Sequence, residues 1–246
     1  MKSLDGKTIV VAGGTGNVGS FIVRNLLTAG ARVVVTSRSE SKLESFRDYL
    51  RQFEELSHED LYSFIGNISD QKDSKRLLNK IMDNVGTPDG TISTLGKFIP
   101  APSLLTVDLN DLNDVIDNYL ISHFVVARTF LPVYKSNGGT FVFVNGPLAL
   151  SPRNGAGLVS IATAGQQMLF RALAKELENS SARVTELMTY AFIRNRQTQP
   201  QSSVTGEAVG ALASWMVSDT AENIHGESIH LKSMEKLKEL NIKLSQ

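Results

Sequence analysis

The sequence predicts an α/β protein, a three-layer α/β/α arrangement in which helices cover both faces of a parallel sheet. Three observations carry this. Short β-branched runs alternate with stretches of helical period along the whole chain, and the connections are short. The first of those runs also ends in a glycine-rich turn that opens straight into a helix. No linker, repeat or composition shift divides the 246 residues, so the chain is expected as one domain over 1–246.

Taken in order, Thr8-Ile9-Val10-Val11 reads as a buried strand because it is apolar on both faces. Ala12-Gly13-Gly14-Thr15-Gly16-Asn17-Val18-Gly19 follows as the turn, and Val18, Phe21, Ile22, Leu26 and Leu27 then recur at helical spacing until Gly30. Ala31 to Thr36 is the second strand, and Ser39 to Leu50 the second helix, extending to about Leu56. Leu61 to Ile65 is a third strand. A helix capped by Ser69 or Asp70 follows, burying Leu77, Leu78, Ile81 and Met82. Gly90 to Thr94 makes a weaker fourth strand. A long helix then runs from about Leu109 to Tyr134.

Thr140 to Val144 is the next strand, and roughly Leu158 to Glu178 the next helix. Arg183 to Thr189, Glu207 to Val217 and Ser228 to Leu231 complete the alternation as strand, helix and strand. The tail 232–246 carries Met234, Leu237 and Leu240 at helical spacing and is expected to dock as a helix on its own subunit or a neighbour.

Composition narrows the chemistry. Lys plus Arg equals Asp plus Glu at 25 each, so no charge excess favours nucleic acid or an anionic membrane. The chain has no cysteine, which removes disulfides, thiol nucleophiles and thiolate metal sites. His58, His123, His225 and His230 show no metal-ligand spacing. With no apolar run long enough to span a bilayer and no signal-like core near the start, a cytoplasmic location is the expectation.

The glycine turn carries the clearest functional signal. Gly14, Gly16 and Gly19 satisfy G-x-G-x-x-G, and Gly13, Gly16 and Gly19 satisfy G-x-x-G-x-x-G. Between a strand and a helix, that spacing lets backbone approach a pyrophosphate and points helix amides at it.

Over essentially its whole length the chain resembles the short-chain dehydrogenase/reductase family. The resemblance rests on Leu4-Asp5-Gly6-Lys7, the glycine turn, Leu131-Pro132, Arg171-Ala172-Leu173-Ala174-Lys175-Glu176-Leu177 and Gly226. It implies a single Rossmann-type domain with a seven-stranded parallel sheet and NAD(P) at the C-terminal edge of the strands. It also implies a homodimer or homotetramer built on the helices near 109–134 and 158–178. The cofactor-binding residues it implies are Gly13, Thr15, Gly16, Asn17, Val18, Gly19, Ser37, Arg38, Asn67, Ile68, Thr94 and Gly96. Arg38 stands where an acidic residue would grip the ribose hydroxyls of NAD, and its fork of donors favours a 2′-phosphate and hence NADP(H).

The family's catalytic positions read differently. Val159 stands at the proton-donating Tyr, Thr163 at the Lys, Gly146 at the Ser and Tyr119 at the Asn of the preceding helix. The Pro-Gly after strand six reads Thr189-Tyr190. Valine has no ionisable proton, so acid–base work at that position is removed rather than reduced. Tyr119 and Tyr190 are the candidate substitutes, with His123 one helical turn from Tyr119; the competing reading is that Tyr119 and Tyr190 fill volume and His123 sits at the helix interface. Lys97, after the fourth strand, either faces the cofactor cleft or is solvated. The expectation is an NADP(H)-binding protein without the usual carbonyl–alcohol hydride transfer, a sensor, scaffold or partner subunit. Its cofactor is held more weakly than in active members, or the site is vestigial. The alternative is a divergent NADPH-dependent reductase of a carbonyl or enone with a non-standard proton donor or none.

Overall fold

The computed structural model describes residues 3–100, 103–221 and 223–244. Its seven parallel strands are β1 (Thr8–Ala12), β2 (Arg32–Ser37), β3 (Leu61–Ile65), β4 (Gly90–Ser93), β5 (Gly139–Asn145), β6 (Ala182–Thr189) and, after a small hairpin, β9 (Ser228–Leu231). They lie in the order β3-β2-β1-β4-β5-β6-β9 and pair in parallel throughout. The hairpin consists of β7 (Ile193–Arg194) and β8 (Gln197–Thr198).

The pleat divides β1 between two cores. Ile9 and Val11 face one and Val10 and Ala12 the other, all fully buried. That is why the strand reads as a continuous apolar run. The first core is closed by α1 (Asn17–Thr28), α2 (Glu40–Leu50) and α7 (Gly206–Met216). The second is closed by α3 (Gln71–Asn84), α5 (Ser122–Asn137) and α6 (Gly157–Glu176). Truncating a residue such as Ile9 or Ile22 to alanine costs about 2–5 kcal/mol, because both side chains are fully enclosed.

Three expected helices differ in detail: α3 starts from the Asp70 cap and buries Leu77, Leu78 and Ile81, but Met82, expected in the same stripe, is exposed because it faces away from the sheet. The stretch read as one helix from Leu109 is α4 (Leu109–Ile116), a π-helical turn over Asp117–Ile121, and then α5. Single π turns interrupt α-helices where a side chain must be re-aimed, and Tyr119 lies in this one. Helix α2 stops at Leu50 instead of reaching Leu56; Phe53 and Leu56 close tight turns onto Leu50 and Phe53 carbonyls. Within the tail, α8 covers Glu235–Glu239 and seats Leu237 in the first core, while Ser245 and Gln246 lie outside the described residues.

Strand order reverses between β1 and β4. Their C-terminal ends, the glycine turn and Thr94-Leu95-Gly96, therefore flank the crevice where open α/β sheets accept ligands.

Candidate functional site

The glycine turn is held by its own backbone. Gly14 N–H donates to the Val11 carbonyl at 3.1 Å, and Gly16 N–H to the Gly13 carbonyl at 2.9 Å. Gly13 sits at φ +86°, and a Cβ there would lie 2.6 Å from the Thr94 carbonyl oxygen. A Cβ on Gly19 would lie 2.3 Å from the Gly13 oxygen. These two glycines are required by the packing of the protein itself, with or without a ligand. Gly16 is different: its Cβ would meet only the Gly13 oxygen, at 3.1 Å. It is also the N-cap of α1, where no side chain caps the helix and no acidic residue occupies the first turn. The leading amides are thus open to an anion.

In front of the turn lies a cleft of about 560 Å³, bounded by Thr15 to Asn17, Gly96 to Phe98 and the hairpin tip. Lys42, Lys97 and Arg196 line it, and no carboxylate does among the described residues. In a chain of balanced charge, that local excess favours an anionic ligand. Arg38, just beyond β2, is exposed and makes no hydrogen bond or ion pair among the described residues, though it does not line the cleft itself. Ser37, buried beside it, accepts the Ser39 amide at 3.3 Å.

At the next strand end, Asn67 Oδ1 accepts the Ser69 N–H at 3.2 Å, leaving its amide NH₂ uncommitted, and Ile68 is buried beneath it. The Asn67 backbone N–H donates to the Asp73 carboxylate. That bond, with Arg76 beside it, holds the Asp73 carboxyl below its usual range. Thr94 N–H donates to the Ala12 carbonyl at 2.9 Å, tying the fourth strand end to the glycine turn. Val18, on the inward side of α1, is partly buried against the first core.

The positions that carry proton chemistry in the resembled family are apolar or spent. Val159 is buried in a small cluster with Val115, Leu158 and Ala162, onto which Tyr119, Leu148 and Ile99 pack. The Thr163 hydroxyl donates to the Val159 carbonyl of its own helix at 2.7 Å. Gly146 offers its N–H to Asn145 Oδ1 at 2.8 Å. The Asn145 amide in turn donates to the Thr163 carbonyl at 3.1 Å and to Glu186 Oε1 at 3.0 Å. Glu186 is fully buried, and its other oxygen accepts from Gln167 and Ser228.

The candidate substitutes separate. The Tyr119 ring lies against Gly96, where a Cβ would come within 2.4 Å of it, and burial pushes the phenol up to about 12. His123 is fully buried and stacks on Phe143, with ring centroids 5.8 Å apart. Its Nε2 lies 3.1 Å from the Leu95 carbonyl, its Nδ1 has no partner, and desolvation lowers the imidazole to about 4. Both are neutral near pH 7 and neither is poised to exchange a proton. Tyr190 is engaged elsewhere. Its hydroxyl is 3.3 Å from His230 Nδ1 on edge strand β9, and Lys232 Nζ is 5.8 Å from its ring. Burial, then Lys232, lowers the His230 pKa.

Sequence reasoning singled out neither Lys42 nor Arg196. Lys42 stands three residues beyond the Ser39 cap of α2, which carries it to the cleft. Arg196 arrives from 180 residues downstream, through a stretch with no periodicity to place it.

A parallel doubly wound sheet, reversed at a glycine turn and fronted by a cationic cleft, defines a Rossmann-type protein. The particular family follows from sequence: the short chain dehydrogenase profile matches residues 7–201, and the chain belongs to that family. Ipsdienol dehydrogenase of Ips pini is 26% identical over 200 residues, covering 76% of this chain and 75% of the relative. The structure of the Pseudomonas aeruginosa RhlG/NADP active-site complex superposes with a TM-score of 0.81 at 20% identity, over 96% of this chain and 98% of that one. A gluconate 5-dehydrogenase from Burkholderia cenocepacia, solved with NADP and tartrate, gives 0.81 at 16% identity, over 92% and 94%.

Proposed function

We propose that the protein binds NADP(H) in this cleft and lacks the family's usual carbonyl–alcohol hydride transfer, serving as a sensor, scaffold or partner subunit. One juxtaposition supports the reading most strongly. A phosphate turn with open amides and a cationic rim stands beside an apolar cluster where the proton donor belongs. The phosphate half of the cofactor fits the residues present. Gly16 leaves room for close approach, the α1 amides are uncapped, and Arg38, Lys42 and Lys97 supply charge. Asn67 can meet the adenine edge through its amide.

The nicotinamide half fits poorly. Thr163 is too short and already bonded to Val159, so no ammonium holds the nicotinamide ribose there. That mismatch favours binding weaker than in active members. Bound NADPH would carry a transferable hydride, but positions 146, 159 and 163 of this chain provide no group to donate the accompanying proton.

An assembly through α5 and α6 is part of the same proposal. Ile121 and Phe124 on one side, and Ile161 and Met168 on the other, are large apolar side chains left exposed.

Calorimetric titration with NADPH and NADH tests the binding claim. NADPH binds more tightly, and Arg38→Ala weakens NADPH by about tenfold or more while leaving NADH within about twofold. No heat and no thermal shift at millimolar NADPH overturns it. The second reading, a divergent NADPH-dependent reductase, draws on the contact between Tyr190 and His230 beside Lys232. Carbonyl or enone turnover abolished by Tyr190→Phe favours that reading instead.

A further inference from the structure

The hairpin after β6 places an arginine on the glycine turn under conditions that call for explanation. Its two turn residues, Asn195 and Arg196, both adopt left-handed backbone, at φ 51° and φ 56°. A two-residue hairpin loop of this kind favours Asn-Gly, and a long side chain at the second position is disfavoured there. The base of the hairpin is firmly tied. Gln199 N–H donates to the Phe192 carbonyl at 2.8 Å, and Thr198 Oγ accepts the Gly206 amide at 2.8 Å. A glycine at 196 would complete the same turn without strain.

The arginine is held in one place by several contacts. Its backbone N–H donates to Asn17 Oδ1 at 3.2 Å, and Nη2 donates to the Thr15 carbonyl at 3.2 Å. The guanidinium lies 4.7 Å from the Tyr49 ring centroid and 5.3 Å from that of Phe46. Both rings belong to α2, so Arg196 spans the gap between the glycine turn and the helix that follows Arg38. No carboxylate pairs with it among the described residues, and its other donors are uncommitted. With Lys42 lining the same cleft, the positive charge gathers on the α2 side of the turn.

We propose that Arg196, presented by the β7–β8 hairpin, is a specificity-determining ligand for the ribose 2′-phosphate of the nucleotide, acting with Arg38 and Lys42. The inference rests on the NADP(H) reading above and assigns that reading a residue from the far end of the chain. The guanidinium is pre-organised for a phosphate, because its cation–π contacts with Tyr49 and Phe46 and its bond to the Thr15 carbonyl hold it in place before the ligand arrives.

The test compares the wild-type chain with Arg196→Gly and Arg196→Lys by calorimetry against NADPH, NADH and 2′,5′-ADP, with thermal unfolding as the folding control. Arg196→Gly suits the turn, so it remains folded. It loses at least about tenfold in affinity for NADPH and 2′,5′-ADP and keeps NADH within about twofold. Arg196→Lys keeps the charge without the fork and falls between. Added salt weakens NADPH binding to the wild type more than to the glycine variant. Equal losses for NADPH and NADH would assign Arg196 to the shared pyrophosphate and overturn the proposal. So would unchanged or tighter NADPH binding by Arg196→Gly, which would make the arginine a staple or a shield. Each of those results leaves wild-type binding intact and the functional reading standing. A wild-type chain that binds no NADPH overturns both.

Discussion

Acidification offers a sharp probe of the corner beside the cleft, through His123. Its imidazole is fully buried between Leu95 and Phe143 and is held at about 4 in the folded protein, against 6.5 when free. The native state therefore stays unprotonated while the unfolded chain takes up a proton below pH 6.5. Stability from this group is fully present above 6.5 and is lost as pH falls toward 4. At about 1.4 kcal/mol per unit, going from pH 7.5 to 5.0 removes about 2 kcal/mol through this residue. In a chain of this length that lowers Tm by roughly 4–8 °C. Urea unfolding of the wild type and His123→Gln at the two pH values isolates the effect, since the other titrating groups are common to both. Glutamine keeps a donor for the Leu95 carbonyl and has no proton to gain. The variant should lose about 2 kcal/mol less than the wild type over the interval. Equal losses in the two proteins would refute the reasoning, because His123 would then titrate as an accessible imidazole.

The glycine turn separates packing from binding. Gly19→Ala drives a Cβ to 2.3 Å from the Gly13 oxygen, and this overpacking costs about 2–3 kcal/mol, more than the roughly 1 kcal/mol alanine gains in a helix. It appears as a lowered urea midpoint. Gly16→Ala, at the N-cap of α1 with its Cβ 3.1 Å from the Gly13 oxygen, should lower the midpoint by about 0.5–1 kcal/mol, less than Gly19→Ala, and lose NADPH affinity in calorimetry. Glu186→Ala strips the acceptor from Asn145, Gln167 and Ser228 in a closed interior, and chemical denaturation should show a loss of about 3 kcal/mol or more.

The strands and the glycine turn are legible because their signals are local. Ser228 to Leu231 is read to the residue, and β1 with its glycine turn announces itself by a fully buried apolar run. The long helix is interrupted at Asp117–Ile121 by a π turn that no local sequence signal marks, and its Tyr119 lies against Gly96 across the crevice. The hairpin was invisible for a related reason. Asn195-Arg196 is not the Asn-Gly that marks such turns, and the contacts holding it come from Thr15, Asn17, Phe46 and Tyr49. The cationic cleft is likewise assembled from distant stretches: Lys97 is readable as a candidate after the fourth strand, whereas Lys42 and Arg196 are unremarkable in theirs. Val159, Thr163 and Gly146 stood out only against a family pattern. The structure adds what surrounds them, an apolar cluster and a buried carboxylate network.

The central claim is that a nucleotide is bound where no residue is placed to move the proton. The direct measurement is loss of reduced-nicotinamide absorbance with the wild-type chain and saturating NADPH, across aldehydes, ketones and enones, beside a calorimetric titration of the same sample. Saturable NADPH binding with no turnover above the protein-free rate is the expected outcome. Turnover that disappears in Tyr119→Phe or Tyr190→Phe would contradict it, as would a titration without heat.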